Sequence, residues 1–177
     1  MATIVGIEVD GGAVLAGDRR LTAGGTVSSE RKRHVFDLGE VGAAAVGAAG
    51  DIDEFHRRLE SEVRSHETDH GDPMSLDRLA SVASDLAAEQ GVEAIVAGRD
   101  DDAPRVRGIG SDGGVVTDET VAFGSGGQLA LGVLEGRDED IGLDDAERLA
   151  REAVETAADR DTDTGEEFDT YRLASSA

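Results

Sequence analysis

Ala2-Thr3-Ile4-Val5-Gly6-Ile7, followed by Gly11-Gly12-Ala13-Val14-Leu15-Ala16-Gly17-Asp18-Arg19-Arg20, is the stretch from which the fold is read. Residues 3–8 are rich in β-branched side chains and predict a strand. Gly11-Gly12 is a turn signal, and residues 13–18 predict a second strand, so the chain opens on a hairpin. A polar, glycine-bearing stretch follows from Thr22 to Ser29. His34-Val35-Phe36-Asp37-Leu38 and Val41–Val46 then predict another hairpin about Gly39-Glu40, closed by Gly47-Ala48-Ala49-Gly50-Asp51.

Beyond Asp51 the hydrophobic period changes. Ile52, Phe55, Leu59 and Val63 share one face of a helix expected to run to about His66. Leu76, Leu79, Ala80, Ala83, Leu86 and Ala87 mark a second, with Ser75 as N-cap and Gly91 just past its end. Strands are expected at 93–98, 106–109, 114–117 and 121–123. A third helix should start after Gly124-Ser125-Gly126, and a fourth carries Leu143, Ala146, Leu149, Ala150, Ala153, Val154 and Ala157. A strand near 168–173 closes the series, and Asp100-Asp101-Asp102 and Arg137–Asp140 read as charged loops. The pattern by itself gives an α+β class rich in antiparallel pairing. Two sheets, each with one face under amphipathic helices, fit a four-layer αββα sandwich.

The 177 residues suffice for one domain spanning 1–177. Aromatic residues make up 3%, so the core must rest on Val, Leu, Ile and Ala. The net charge is −22, from 39 acidic residues against 16 arginines and one lysine, Lys32. Carboxylates dispersed in this way suit a high-salt cytoplasm, where the Debye length is about 3 Å at 1 M salt. The same charge argues against nucleic acid, because Arg31-Lys32-Arg33-His34 is the single basic run. The absence of cysteine excludes disulfides, thiolate metal sites and a cysteine nucleophile. No run has the roughly 18 apolar residues of a membrane span, and no signal-peptide pattern opens the chain. The expectation is a soluble cytoplasmic protein with no membrane partner and no cofactor. His66 and His70 lie four apart, but with the helix expected to end near them they are read as a solvated terminus and not as a metal site.

The opening hairpin, Val46-Gly47-Ala48-Ala49-Gly50-Asp51, Gly71-Asp72-Pro73-Met74-Ser75, Gly124-Ser125-Gly126-Gly127 with Gly132-Val133-Leu134-Glu135, and Arg160-Asp161-Thr162-Asp163-Thr164-Gly165 occur in that order. Together they resemble the β-type subunits of the proteasome, in the N-terminal nucleophile hydrolase superfamily. The resemblance implies the αββα sandwich and threonine-type endopeptidase chemistry. That chemistry needs a hydroxyl nucleophile, a local base and an oxyanion hole. In the family the nucleophile stands four residues before the glycine of the first strand, which here is Ala2. Removal of Met1 would leave Ala2 as the terminus, with an amine but no hydroxyl. Thr3 points to the opposite face of the strand and would be the terminal residue only if Ala2 were also removed.

The family's aspartate corresponds to Asp18, and its lysine to His34, a shorter side chain that is mostly neutral at pH 7. Lys32 and Arg33 are close in sequence, but on a strand a one-residue shift reverses facing. Gly47 matches the oxyanion-hole N–H. Ser125, Asp161 and Thr164 match the cluster that supports the terminal amine. Each also has a plain structural reading: Gly47 as a tight turn, Ser125 as a cap of the third helix, and Asp161 with Thr164 as turn-formers. Asp18 could instead bond Arg20 or a backbone amide, and His34 could be a half-buried strand residue. The resemblance further implies partners that are other proteasome subunits or copies of the same chain, with peptide as ligand. The altered Ala2 and His34 point to a non-peptidolytic structural or regulatory homologue. The alternatives are an active endopeptidase processed to Thr3, and a stand-alone ligand-binding protein on the same fold.

Overall fold

In the computed structural model, which describes residues 1–176, the elements in chain order are β1 (Thr3–Val9), β2 (Gly12–Asp18), β3 (Leu21–Ala23), β4 (Thr26–Ser29), β5 (Val35–Asp37), β6 (Gly42–Val46), α1 (Ala49–His70), α2 (Leu76–Gln90), β7 (Glu93–Asp100), β8 (Ala103–Ile109), β9 (Val115–Val116), β10 (Thr120–Gly124), α3 (Gly127–Glu135), α4 (Leu143–Arg160) and β11 (Phe168–Ala174). One antiparallel sheet has the order β10-β1-β2-β11 and a second has β5-β6-β7-β8-β9. The β3–β4 pair stands apart as its own ribbon.

Strand alternation assigns the layers. In β1 and β2, Ile4, Ala13 and Leu15 face the second sheet, while Val5, Ile7, Val14 and Ala16 pack with Ala130, Leu134, Ala146, Ala150 and Val154 of α3 and α4. In β6 and β7, Ala44, Val46, Ile95 and Ala97 face the first sheet. Their neighbours Ala43, Ala45, Ala94 and Val96 pack with Ile52, Phe55, Leu59, Leu79 and Ala83 of α1 and α2. The result is helices, sheet, sheet, helices: the four-layer αββα sandwich expected from the sequence.

Small residues let the sheets approach. The β11 ring of Tyr171 lies over Gly42, where an added Cβ would meet the ring at 2.5 Å. The Tyr171 hydroxyl donates to the Gly39 carbonyl at 2.8 Å, and burial pushes its phenol well above the usual range. The ends of α2 follow the sequence signals. Ser75 accepts the Arg78 N–H, and Gly91 adopts the left-handed conformation after α2.

Four expectations are corrected. The polar stretch Thr22–Ser29, to which the pattern assigns no element, pairs its two ends as β3 and β4 about Gly24-Gly25. The strand expected at 106–109 begins earlier, at Ala103, directly after the Asp100–Asp102 turn, in which Asp101 and Asp102 have positive φ. The first helix continues a turn past His66, to His70. The strand expected from His34 begins at Val35, leaving His34 in an irregular segment.

Gly42→Ala should destabilise the protein by about 1–3 kcal/mol, because the new methyl has a ring and no free volume in front of it. Denaturant unfolding of the two proteins checks this, with an unchanged midpoint as the contrary result.

Candidate functional site

Asp18 ends β2 and is fully buried. Its Oδ1 accepts the Thr3 N–H at 2.8 Å, and its Oδ2 accepts the N–H groups of Arg20 at 2.9 Å and Gly165 at 2.8 Å. One carboxylate thus ties together the start of β1, the exit of β2 and the turn after α4. Burial pushes the Asp18 carboxyl up, against the opposing pull of its three N–H donors. Of the two structural readings, the backbone one is observed; the Arg20 side chain goes to Glu30 instead.

His34 is 2% exposed, hence more deeply buried than expected. Its Nδ1 lies 2.7 Å from the Asp18 carbonyl oxygen, so this nitrogen carries the proton and donates. The ring therefore binds the aspartate's backbone and not its carboxylate. Burial holds the imidazole pKa below its ordinary value despite Asp18, and the Lys32 ammonium adds to the lowering. Lys32 comes close because residues 31–34 are irregular, so strand parity does not govern them. Its N–H donates to the Arg19 carbonyl at 2.9 Å, and its ammonium pairs with Asp53 on α1.

Ala2 and Thr3 face opposite ways, as the strand requires. Ala2 is 2% exposed and belongs to the apolar layer between the sheets, with Val35, Ala44 and Val46. Thr3 is fully buried on the helix side. Its Oγ1 accepts the Gly126 N–H at 3.0 Å and lies 2.8 Å from Thr164 Oγ1. Thr164 spends its single proton on Asp161 Oδ2 at 2.6 Å, so the Thr3 hydroxyl donates to Thr164. Ser125 Oγ is 2.5 Å from the same Asp161 oxygen and also rests against the Met1 carbonyl. The outcome is a polarised chain from Gly126 N–H through Thr3 and Thr164 to the Asp161 carboxylate, joined there by Ser125.

Ser125 does not cap α3: Gly126 holds the N-cap position and no side chain caps it. Gly126 is required for space, since a Cβ there would meet Thr3 Oγ1 at 2.6 Å and Ala157 Cβ at 2.7 Å. Asp161 and Thr164 form a turn as well, through the Thr164 N–H to the Asp161 carbonyl and the Asp163 N–H to Asp161 Oδ1. Gly47 packs against Val92, and among the described residues it makes no hydrogen bond to the others of the set. Gly126 and Gly165 are site residues whose roles the sequence reading did not assign. Their only sequence signal is membership of the Gly-Ser-Gly-Gly and Arg-Asp-Thr-Asp-Thr-Gly motifs.

Residues 1–173 match the family described as Proteasome subunit. The chain belongs to the proteasome subunit family. It is 37% identical over 169 residues to the "Proteasome subunit beta" of Halomicrobium mukohataei, covering 92% of this chain and 71% of that one. It is 36% identical over 169 residues to the "Proteasome subunit beta 2" of Haloterrigena turkmenica, with the same shares covered. The "Proteasome subunit beta 1" of Staphylothermus marinus is 34% identical over 178 residues, covering 97% of this chain and 84% of that one. These relatives place the chain with the β-type proteasome subunits and their N-terminal nucleophile hydrolase fold. Among the described residues, no helix is long and apolar enough to cross a membrane.

Asp18→Ala should be severely destabilising, because each of the three orphaned N–H groups costs roughly 1–3 kcal/mol. Chemical denaturation should show a lowered midpoint or loss of the folded state; a wild-type midpoint would contradict the assignment.

The His34 shift gives a pH dependence. An unfolded imidazole titrates near about 6.5, whereas the buried ring resists protonation, so the unfolded state binds the extra proton. Stability should therefore fall as pH drops from about 6.5, and be insensitive to this group above it. His34→Gln should flatten that slope. A residual slope will remain from His56, whose imidazole burial also holds below its ordinary value. Melts across this range check the sign.

Proposed function

We propose that this β-type chain is non-peptidolytic and serves a structural or regulatory role in or beside a 20S-type core particle. The observation that carries the reading is the buried methyl of Ala2 where the family places its hydroxyl nucleophile. A neutral His34 at the family's lysine position supports it, since the fixed positive charge that would activate an amine and a hydroxyl is absent there. Asp18 is engaged by three backbone donors and Asp161 by two hydroxyls, so both serve the architecture of the terminus.

Processing to Thr3 is disfavoured by geometry. The Thr3 hydroxyl is fully buried and already both accepts and donates a hydrogen bond, and its N–H is held by Asp18. Gly47, Ser125, Asp161 and Thr164 are retained as the frame of the former site. The partners of this reading are other proteasome subunits or further copies of the chain, which the names of its relatives support. A cytoplasmic, high-salt setting is supported by the −22 charge and by relatives from Haloterrigena and Halomicrobium.

The test is peptide hydrolysis by the purified chain in molar KCl beside Thr3→Ala and the double variant Ala2→Thr/His34→Lys. The wild type should show no turnover above Thr3→Ala, and the double variant should gain turnover. Wild-type hydrolysis that disappears in Thr3→Ala would overturn the proposal.

A further inference from the structure

The end of β1 remote from Ala2 and Thr3 carries a buried carboxylate that the site above does not use. Strand alternation points Glu8 into the space between the sheets, where it is 6% exposed. Its Oε2 accepts the Val106 N–H of β8 at 2.8 Å. Among the described residues no hydrogen bond reaches its Oε1, and Arg105 Nη1, the one cation within ion-pair reach, stands 3.6 Å away. Every enclosed polar side-chain atom among the described residues has a hydrogen-bond partner, so the unpartnered Oε1 borders open space. That space is a cavity of about 300 Å³ with Glu8 in its wall. Burial pushes the Glu8 carboxyl up, against the opposing pull of the Val106 N–H and of Arg105 and Arg107. A positive charge brought to Oε1 offsets that cost of burial.

The other groups of the cavity decide what fits it. Arg137 is neutralised by Glu119 at 2.8 Å. Asp10, Glu139 and Asp140 stand exposed at the rim, and among the described residues no cation pairs with them. The Arg105 side chain is 47% exposed and its guanidinium makes no hydrogen bond among the described residues, so it is free to move aside. The lining is therefore net negative. Its carboxylates do not converge: among the described residues no group of three or more Asp, Glu or His side chains is placed to hold a metal ion. Separated acceptors beside the apolar side chains of Val9 and Ile141 suit a ligand whose positive charges are spaced along methylenes. We infer that this cavity binds a linear aliphatic polyammonium ion, one ammonium donating to Glu8 Oε1 and another to the rim carboxylates. An ammonium group offers three donors that rotate to meet single acceptors, so it needs no chelating geometry. The methylenes between the charges lie along Val9 and Ile141.

The experiment is calorimetric titration of the full chain with spermidine in molar KCl. Salt at that concentration screens loose attraction to exposed carboxylates, whereas a partly buried pair is screened much less. The expected result is saturable binding of one spermidine per chain that excess Mg²⁺ does not displace. Butylamine, with a single ammonium, should bind at least about tenfold more weakly, and Glu8→Gln should lower spermidine affinity by a similar factor, the scale of one hydrogen bond to a charged group. Glutamine keeps an oxygen for the Val106 N–H, so the variant should stay folded, which circular dichroism checks. The double variant Asp10→Asn/Glu139→Gln alters the exposed rim alone and should weaken binding as well. Asp69→Asn, exposed on α1, should leave it unchanged. Failure of the wild type to bind saturably in molar KCl would overturn the inference. Binding that Mg²⁺ displaces, or that survives both Glu8→Gln and the rim variant at wild-type affinity, would overturn it too.

Discussion

The Asp18 carboxylate is the constraint on which the site end of the molecule depends. It takes backbone N–H groups from Thr3, Arg20 and Gly165, which are far apart in sequence. A buried carboxylate is costly unless its lone pairs are filled, and three orphaned amides would be costly without it. The pairing makes each side necessary to the other. It also fixes where β1 begins, and so which way Ala2 and Thr3 point. The neighbouring His34 ring, bonded to the Asp18 carbonyl, closes the same corner from the irregular segment that leads into β5.

From that corner the two sides of the first strand take on different chemistry. Toward the second sheet, Ala2 contributes a methyl to an apolar layer. Toward the helices, Thr3 enters a hydroxyl chain that ends on Asp161. Each hydroxyl in the chain polarises the next, which stiffens the contact between the first residues and the turn after α4. On the reading proposed above, a proteasome-type scaffold keeps this frame for its own integrity. Fold and frame alone are poor witnesses to activity.

Much of the architecture was legible because strand and helix periods differ so plainly here. The inner-face alternation of Ile4, Leu15, Ala44 and Ile95, and the helical spacing from Ile52 to Val63, specify the four layers almost directly. The β3–β4 ribbon was not legible, since its strands are three and four residues long and mostly exposed, with no core face to set a pattern. Val35-Phe36 predicts a strand that includes His34, yet pairing starts only at Val35. Ser125 and Asp161 are grouped in the sequence by resemblance alone, because they lie 36 positions apart and no periodicity pairs them. The link from Asp18 to Gly165, across 147 positions, is of the same kind: long-range polar pairing leaves no periodic trace.

The most direct measurement is the mass and subunit composition of the complex that the tagged chain forms in its native host, held in molar KCl, with the N-terminal residue read in the same mass spectrum. Co-elution with core-particle subunits and an N-terminus that retains Ala2 are the expected results. A chain that begins at Thr3 and turns over peptide, or one that elutes alone as a monomer, would contradict the proposed function.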